Sequence, residues 1–164
     1  FDLLIFATGF DAMTGTLLKI DIQGRAGVTL AEKWSAGPIT YLGLAIDGFP
    51  NFFTVSGPGS PSVLSNMIVT IEQHVDWIMA CLDAMQQRQA RTIEATNAAA
   101  ADWVKTGNAI AAGTLFPTCN SWYLGANVPG KPRIFMPYVG GFPSYVEICE
   151  NVKRKGYQGF VFSN

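Results

Sequence analysis

The sequence predicts an α/β chain. Three observations carry that expectation: a first half cut by glycine and proline into short strand-like runs, three helical stretches after it, and a hydrophobic content of 49% over 164 residues. That length suits one ordinary domain or a large piece of one, and is too short for two cofactor domains plus a substrate domain. Charged residues make up only 14%, against about 25% in a typical soluble domain. With 11 Lys+Arg against 12 Asp+Glu, the charge balance argues against a nucleic-acid partner and against a polybasic membrane anchor. No tract combines low hydrophobicity with high charge, which excludes disorder.

Taken in order, residues 2–7 form a short apolar run stopped at Thr8-Gly9, a buried strand. Residues 17–22 alternate, with Leu18, Ile20 and Ile22 against Lys19 and Asp21; Gly24 then turns the chain toward a second strand over 28–33. Residues 41–46 and 51–55 are two more strand candidates about the turn Asp47-Gly48-Phe49-Pro50. Ser60 then caps a helix whose first residue is Pro61. Leu64, Ile68, Ile71, Val75, Ile78, Leu82 and Met85 recur at steps of four and three, predicting an amphipathic helix over 61–88. A second helix is expected over 97–112, capped at Thr96 or Asn97 with Trp103, Val104 and Ile110 inward. Periodicity fails over 113–141, where prolines and glycines force a long irregular stretch of the kind that usually serves function. A third helix over 143–155 and a strand at 160–162 close the chain; Lys153-Arg154-Lys155 complement the helix dipole and are no nucleic-acid patch.

The chain opens at Phe1 without Met, a basic leader or a cleavage site. Together with the low charge, this raises the expectation of a piece whose inner face awaits missing neighbours, over the alternative of an oligomer. No apolar run approaches the roughly 18 residues needed to cross a bilayer. Cys81, Cys119 and Cys149 are odd in number and widely spaced, which suits a reducing, cytoplasmic setting. The single histidine, His74, excludes a zinc site and has no serine elbow to serve, so it is assigned to helix packing.

Two stretches could carry chemistry. Residues 53–62 run strand, glycine loop, helix, an order that offers backbone amides to an electron-rich ligand, although Gly57-Pro58-Gly59 is neither a dinucleotide fingerprint nor a phosphate loop. On spacing alone a simple turn and cap is the plainer reading. Residues 121–133 gather an indole, a phenol, an amide and two cations among glycines and prolines, which suits a ligand clamp; Trp122 capping an apolar patch is the plainer alternative.

At these stretches a resemblance emerges. Phe6-Ala7-Thr8-Gly9-Phe10-Asp11 resembles the A-T-G linker of flavin-dependent monooxygenases. Residues 57–67, the run Glu72-Gln73-His74-Val75-Asp76-Trp77, and residues 121–133 with Tyr138-Val139-Gly140-Gly141 are similar to the C-terminal part of Baeyer–Villiger monooxygenases, nearest the phenylacetone and steroid branch.

The resemblance implies that the chain is the C-terminal part of a Rossmann-like FAD-binding domain in a protein with two dinucleotide-binding domains. Its linker would occupy 1–11 and its cofactor-gating loop about 117–137. It also implies an NADPH- and O2-dependent conversion of aryl or bulky cyclic ketones to esters or lactones through a C4a-peroxyflavin. Oxygenation of nitrogen or sulfur, or a non-catalytic stand-alone domain, are the alternatives. By position, Met67 would lie against the FAD ring, Trp122 and Asn127 would contact NADP, and Ser62, Val63, Leu64 and Met136 would line the substrate pocket. The implied partners are a small ketone, O2 and the missing N-terminal part of the same enzyme, a monomer when full length, with no nucleic acid or membrane. The sequence has no G-x-G-x-x-G and no F-x-G-x-x-x-H-x-x-x-W fingerprint, so the chain alone is expected to be inactive.

Overall fold

The computed structural model describes residues 2–5 and 11–164. The A-T-G motif and the last two residues of the first expected strand lie outside the described residues, and 2–5 have no regular structure.

Asp11 organises the first local element. Its carboxylate accepts from the amide and hydroxyl of Thr14, its carbonyl accepts from the Gly15 amide, and a single turn, α1 (Gly15–Leu18), follows. Residues 17–22 are therefore not a strand. Six alternating residues do not outweigh a side-chain-supported turn, and Leu17, Leu18 and Ile22 instead pack on a small cluster of Leu30, Trp34, Ile46 and Phe49. Nor are 28–33 a strand: Thr29 and Glu32 close a reciprocal capping box that starts α2 (Leu30–Lys33).

Over 41–46 and 51–55 the expected strands shrink to single bridges, Tyr41 with Ala45 and Ala45 with Phe53. The chain reverses at Leu42 and Gly43, which are both left-handed, with φ of 59° and 69°. Only glycine fits at 43, because a Cβ there would sit 2.4 Å from the amide nitrogen of Ser60.

The long helix, α3 (Met67–Gln87), starts later than the sequence suggests. Ser62 takes a φ of 47°, Ser62–Leu64 forms a separate 3-10 turn, and the chain restarts at Asn66, whose side chain accepts from the amides of Ile68 and Val69. Its buried face is Thr70, His74, Trp77 and Cys81. Of the apolar stripe, Ile78 and Met85 pack partly on the core, while Ile68, Ile71, Val75 and Leu82 remain exposed.

A strand the periodicity did not reveal, β1 (Thr92–Ala95), follows and pairs antiparallel with β2 (Phe160–Ser163), Thr92 opposite Ser163 and Ala95 opposite Phe160. Between them lie α4 (Asn97–Ala112), capped by the Thr96 hydroxyl, and α5 (Phe142–Arg154). This ribbon is the one sheet among the described residues, and the chain is mixed helix and sheet. The main core joins Leu44, Trp77, Ile93, Trp103, Tyr145 and Cys149, and the Trp77 indole donates to the Cys149 carbonyl at 3.0 Å, tying α3 to α5.

Candidate cofactor and substrate site

The glycine loop that leads into α3 is fastened at every step. The carbonyls of four successive residues each accept a hydrogen bond: Gly57 from the Ser60 hydroxyl, Pro58 from Thr40, Gly59 from the Trp103 indole, and Ser60 from the Tyr138 amide. At the loop's start, the Ser56 amide donates to Nδ1 of His74 at 2.9 Å. The His74 proton therefore sits on Nε2, which faces the Tyr145 hydroxyl at 2.9 Å, and that hydroxyl donates to the Leu42 carbonyl at 2.6 Å. Burial drives the His74 pKa down to about 4, so the ring is neutral near pH 7. The helix-packing role expected for His74 thus takes a specific form, a link between the glycine loop and the left-handed turn at Leu42.

Residues 134–138 form a strap bonded to two distant segments. The amides of Ile134 and Met136 donate to the carbonyls of Leu124 and Tyr123. The Gly59 amide donates to the Met136 carbonyl at 2.7 Å and the Tyr138 amide to the Ser60 carbonyl at 2.8 Å. The strap thus joins the Trp122 turn, Trp122–Leu124, to the loop that enters the Ser62 turn. Trp103 stacks on Tyr138 with centroids 5.1 Å apart and planes 13° from parallel, which backs the strap with α4.

The predicted site residues divide accordingly. Met136 and Ser62 are buried, and the Ser62 hydroxyl lies 3.7 Å from the Met13 sulfur. Leu64 and Trp122 are half-buried, with Trp122 packed on Tyr123 at a centroid distance of 4.1 Å; Asn127 is exposed. Val63, Met67 and Ile68 are exposed around the first turn of α3. The structure bonds the Trp122 turn through Met136 to Gly59, three residues before Ser62, while Val63, Leu64 and Met67 follow along the chain to the start of α3.

Sequence reading passed over the residues that anchor this assembly. Thr40, Met13 and Thr14 carry no motif. Lys131 stood out only as one cation in a ligand-clamp stretch, yet its ammonium donates to Asp11 at 2.5 Å and to the Thr14 hydroxyl at 2.6 Å. Burial alone would raise the Asp11 carboxyl; the hydrogen bonds from Lys131 and Thr14 and the Lys131 charge outweigh it and hold Asp11 below the ordinary carboxylate value.

Among the described residues no cluster of His, Cys, Asp and Glu could hold a metal, and no helix is long and apolar enough to cross a membrane. Cys81 and Cys149 are buried, their thiols pushed up to about 12 by desolvation, so neither is poised as a nucleophile.

No family model matches the chain. Among curated proteins, a Baeyer–Villiger monooxygenase from Pseudooceanicola batsensis is 42% identical over 160 residues, covering 98% of this chain and 29% of the relative. Among solved structures, an oxidized steroid monooxygenase bound to NADP superposes with a TM-score of 0.88 at 53% identity, over 95% of this chain and 29% of that one. Over nearly its whole length the chain is similar to one part of Baeyer–Villiger monooxygenases. A cyclohexanone monooxygenase from Rhodococcus sp. Phi1 bound to NADP+ superposes with a TM-score of 0.94 at 39% identity, over 99% of this chain and 30% of that one. The higher identity to the steroid enzyme agrees with the branch the sequence suggested. A phenazine N-monooxygenase from Lysobacter antibioticus is also similar, 39% identical over 98% of this chain and 29% of its own length. The chain therefore spans about three tenths of the Baeyer–Villiger relatives it matches.

Proposed function

We propose that this chain is the C-terminal part of the FAD-binding domain of an NADPH- and O2-dependent monooxygenase that converts aryl or bulky cyclic ketones to esters or lactones. The observation that carries the reading is the strap at 134–138, which bonds both the Trp122 turn and the glycine loop that leads to Ser62 and Met67. A cofactor lid and a substrate wall bonded to one strap would be able to move in register.

The residues present fit a flavin. The first turn of α3 combines a positive helix end with an exposed apolar collar of Val63, Met67 and Ile68. Such a surface suits the edge of a flat aromatic ring that accumulates negative charge on reduction. Met67 would hold the ring by its backbone, Trp122 and Asn127 would contact NADP(H), and Ser62, Val63, Leu64 and Met136 would shape the ketone pocket. FAD, reduced by NADPH, would supply the oxygen-transfer chemistry when bound. This chain would orient the ring, exclude water from above it and limit which ketones reach it. Further polypeptide would supply the phosphate-binding elements, since no glycine fingerprint is present here.

The similarity to a phenazine N-monooxygenase favours keeping one second reading, oxygenation of nitrogen. Full-length enzyme incubated with FAD, NADPH and O2 decides between them by product analysis on a bulky aryl ketone and on an aromatic amine. An ester formed with NADPH consumption supports the ketone reading. An N-oxide with no ester replaces it, and NADPH consumption that neither substrate stimulates removes both.

A further inference from the structure

We infer that Lys131 is a positioning residue whose bond to Asp11 and Thr14 seats the loop carrying Trp122 and Asn127 and couples that loop to the chain segment leaving the A-T-G motif. The inference deepens the proposed function and rests on reading 117–137 as the loop that closes over NADP(H).

Three independent features converge on Lys131. First, the Lys131 side chain is 12% exposed and that of its partner Asp11 21%. A charge pair so sheltered is screened far less than a surface bridge. Second, the acceptors are built for it. Thr14 is buried and its hydroxyl already bonds the Asp11 carboxylate, so the ammonium completes a three-membered polar cluster. Third, the loop makes room for the Lys131 stem. Gly125 sits in a left-handed conformation with φ of 69°, and a Cβ there would lie 2.9 Å from Cδ of Lys131. The alkyl stem thus crosses the loop's own backbone at Gly125 before the head group reaches Asp11.

The consequence is mechanical. Gly125 follows the Trp122 turn directly, and Asn127 lies between Gly125 and Lys131. Fixing Lys131 therefore fixes the short arc from which Trp122 and Asn127 project. Asp11 stands two residues past the Ala7-Thr8-Gly9 motif. A displacement of that segment moves the carboxylate and, through it, the arc. Without the charge pair the arc would keep its bonds to the strap through Tyr123 and Leu124 and lose its tether to residues 11–14.

The test uses the full-length enzyme and the variants Lys131→Met, Asp11→Asn, their combination, Lys131→Arg and Trp122→Ala. The readouts are the NADP+ dissociation constant, the NADP+ release rate, and KM for NADPH separately from kcat. Each neutralised single variant is expected to bind NADP+ about tenfold more weakly and release it faster, the size of a typical coupling between sites. The double variant should lose no more than either single, because the two residues act as one unit. Lys131→Arg should recover most of the affinity, a rescue that loss of packing would not predict. Unchanged NADP+ affinity in Lys131→Met and Asp11→Asn, or losses that simply add, would overturn the tether while a weakened Trp122→Ala kept the gate reading intact. Unchanged affinity in Trp122→Ala would instead remove the gate reading, and the tether with it.

Discussion

The imidazole of His74 is wholly buried, and its two nitrogens are committed in opposite senses, Nδ1 accepting from the Ser56 amide and Nε2 donating to Tyr145. Burial of the ring disfavours its charged form and lowers the pKa to about 4, and protonation would besides turn Nδ1 into a donor pointed at another donor. The unfolded chain protonates near 6.5 and so binds the extra proton first as pH falls between those values. Stability should therefore decline from about pH 6.5 downward and level off near pH 4, by up to about 3 kcal/mol from this residue. Asp11 has the same sign in a lower window. Its depressed carboxyl contributes stability above the ordinary carboxylate value and loses it as pH falls through its folded pKa. Denaturant midpoints for full-length enzyme and for His74→Gln between pH 7 and pH 4 separate the histidine's share. The slope difference between the two should lie between pH 6.5 and pH 4, and identical slopes would show that His74 is not the group being titrated.

Elements were legible where a cap and a long period coincide. Thr96 opens α4 where the sequence places it, and the apolar spacing of Tyr145, Cys149 and Val152 identifies the buried face of α5. Reading failed where a local hydrogen bond competes with a weak pattern. Thr29 and Glu32 spell a capping box inside an apparently alternating run, a signal that could have found α2. Ser60-Pro61 imitates a helix start, but Ser60 spends its hydroxyl on the Gly57 carbonyl, and Asn66 does the capping. The face of α3 misled for a different reason: Ile68, Ile71, Val75 and Leu82 of its apolar stripe are exposed, while Ile78 and Met85 pack on the core. The relatives are longer than this chain, and further polypeptide of that kind would cover the exposed positions. In full-length enzyme, Ile71→Glu or Val75→Glu should each cost about 1–3 kcal/mol, the scale of placing a carboxylate in a contact built for an aliphatic chain. The control Glu72→Gln, on the same helix, should stay within about 0.5 kcal/mol. Thermal melting checks both; a Val75→Glu variant as mild as the control would leave the stripe facing water.

At the scale of the whole molecule, the proposed site would be only partly made by this chain. Its candidate walls are held by this chain's own bonds: the strap and the glycine loop join through backbone groups, and the Ser56 amide donates to His74 of α3. The family resemblance could point to Ser62, Met67, Trp122 and Met136, but not to the bonds between strap and glycine loop, because Gly59 with Met136 and Ser60 with Tyr138 pair positions far apart in the chain that no periodicity encodes. What the chain lacks is equally physical. The described sheet is a single four-residue ribbon, Leu3, Leu4 and Ile5 are exposed, and so are Met67, Ile68, Ile71 and Val75 along α3. Apolar surface concentrated at one end and along one helix needs a cover, and without it such surface attracts other copies or a dye. The chain purified alone should therefore bind an environment-sensitive hydrophobic dye strongly, retain no yellow colour after incubation with FAD and gel filtration, and consume no NADPH in the presence of a ketone. Co-expression with the remaining polypeptide should quench the dye signal and restore bound flavin together, because one interface would account for both. A chain that alone stays monomeric, ignores the dye and keeps FAD through gel filtration would show that the exposed stripe is not an interface and that the flavin site is complete within these residues.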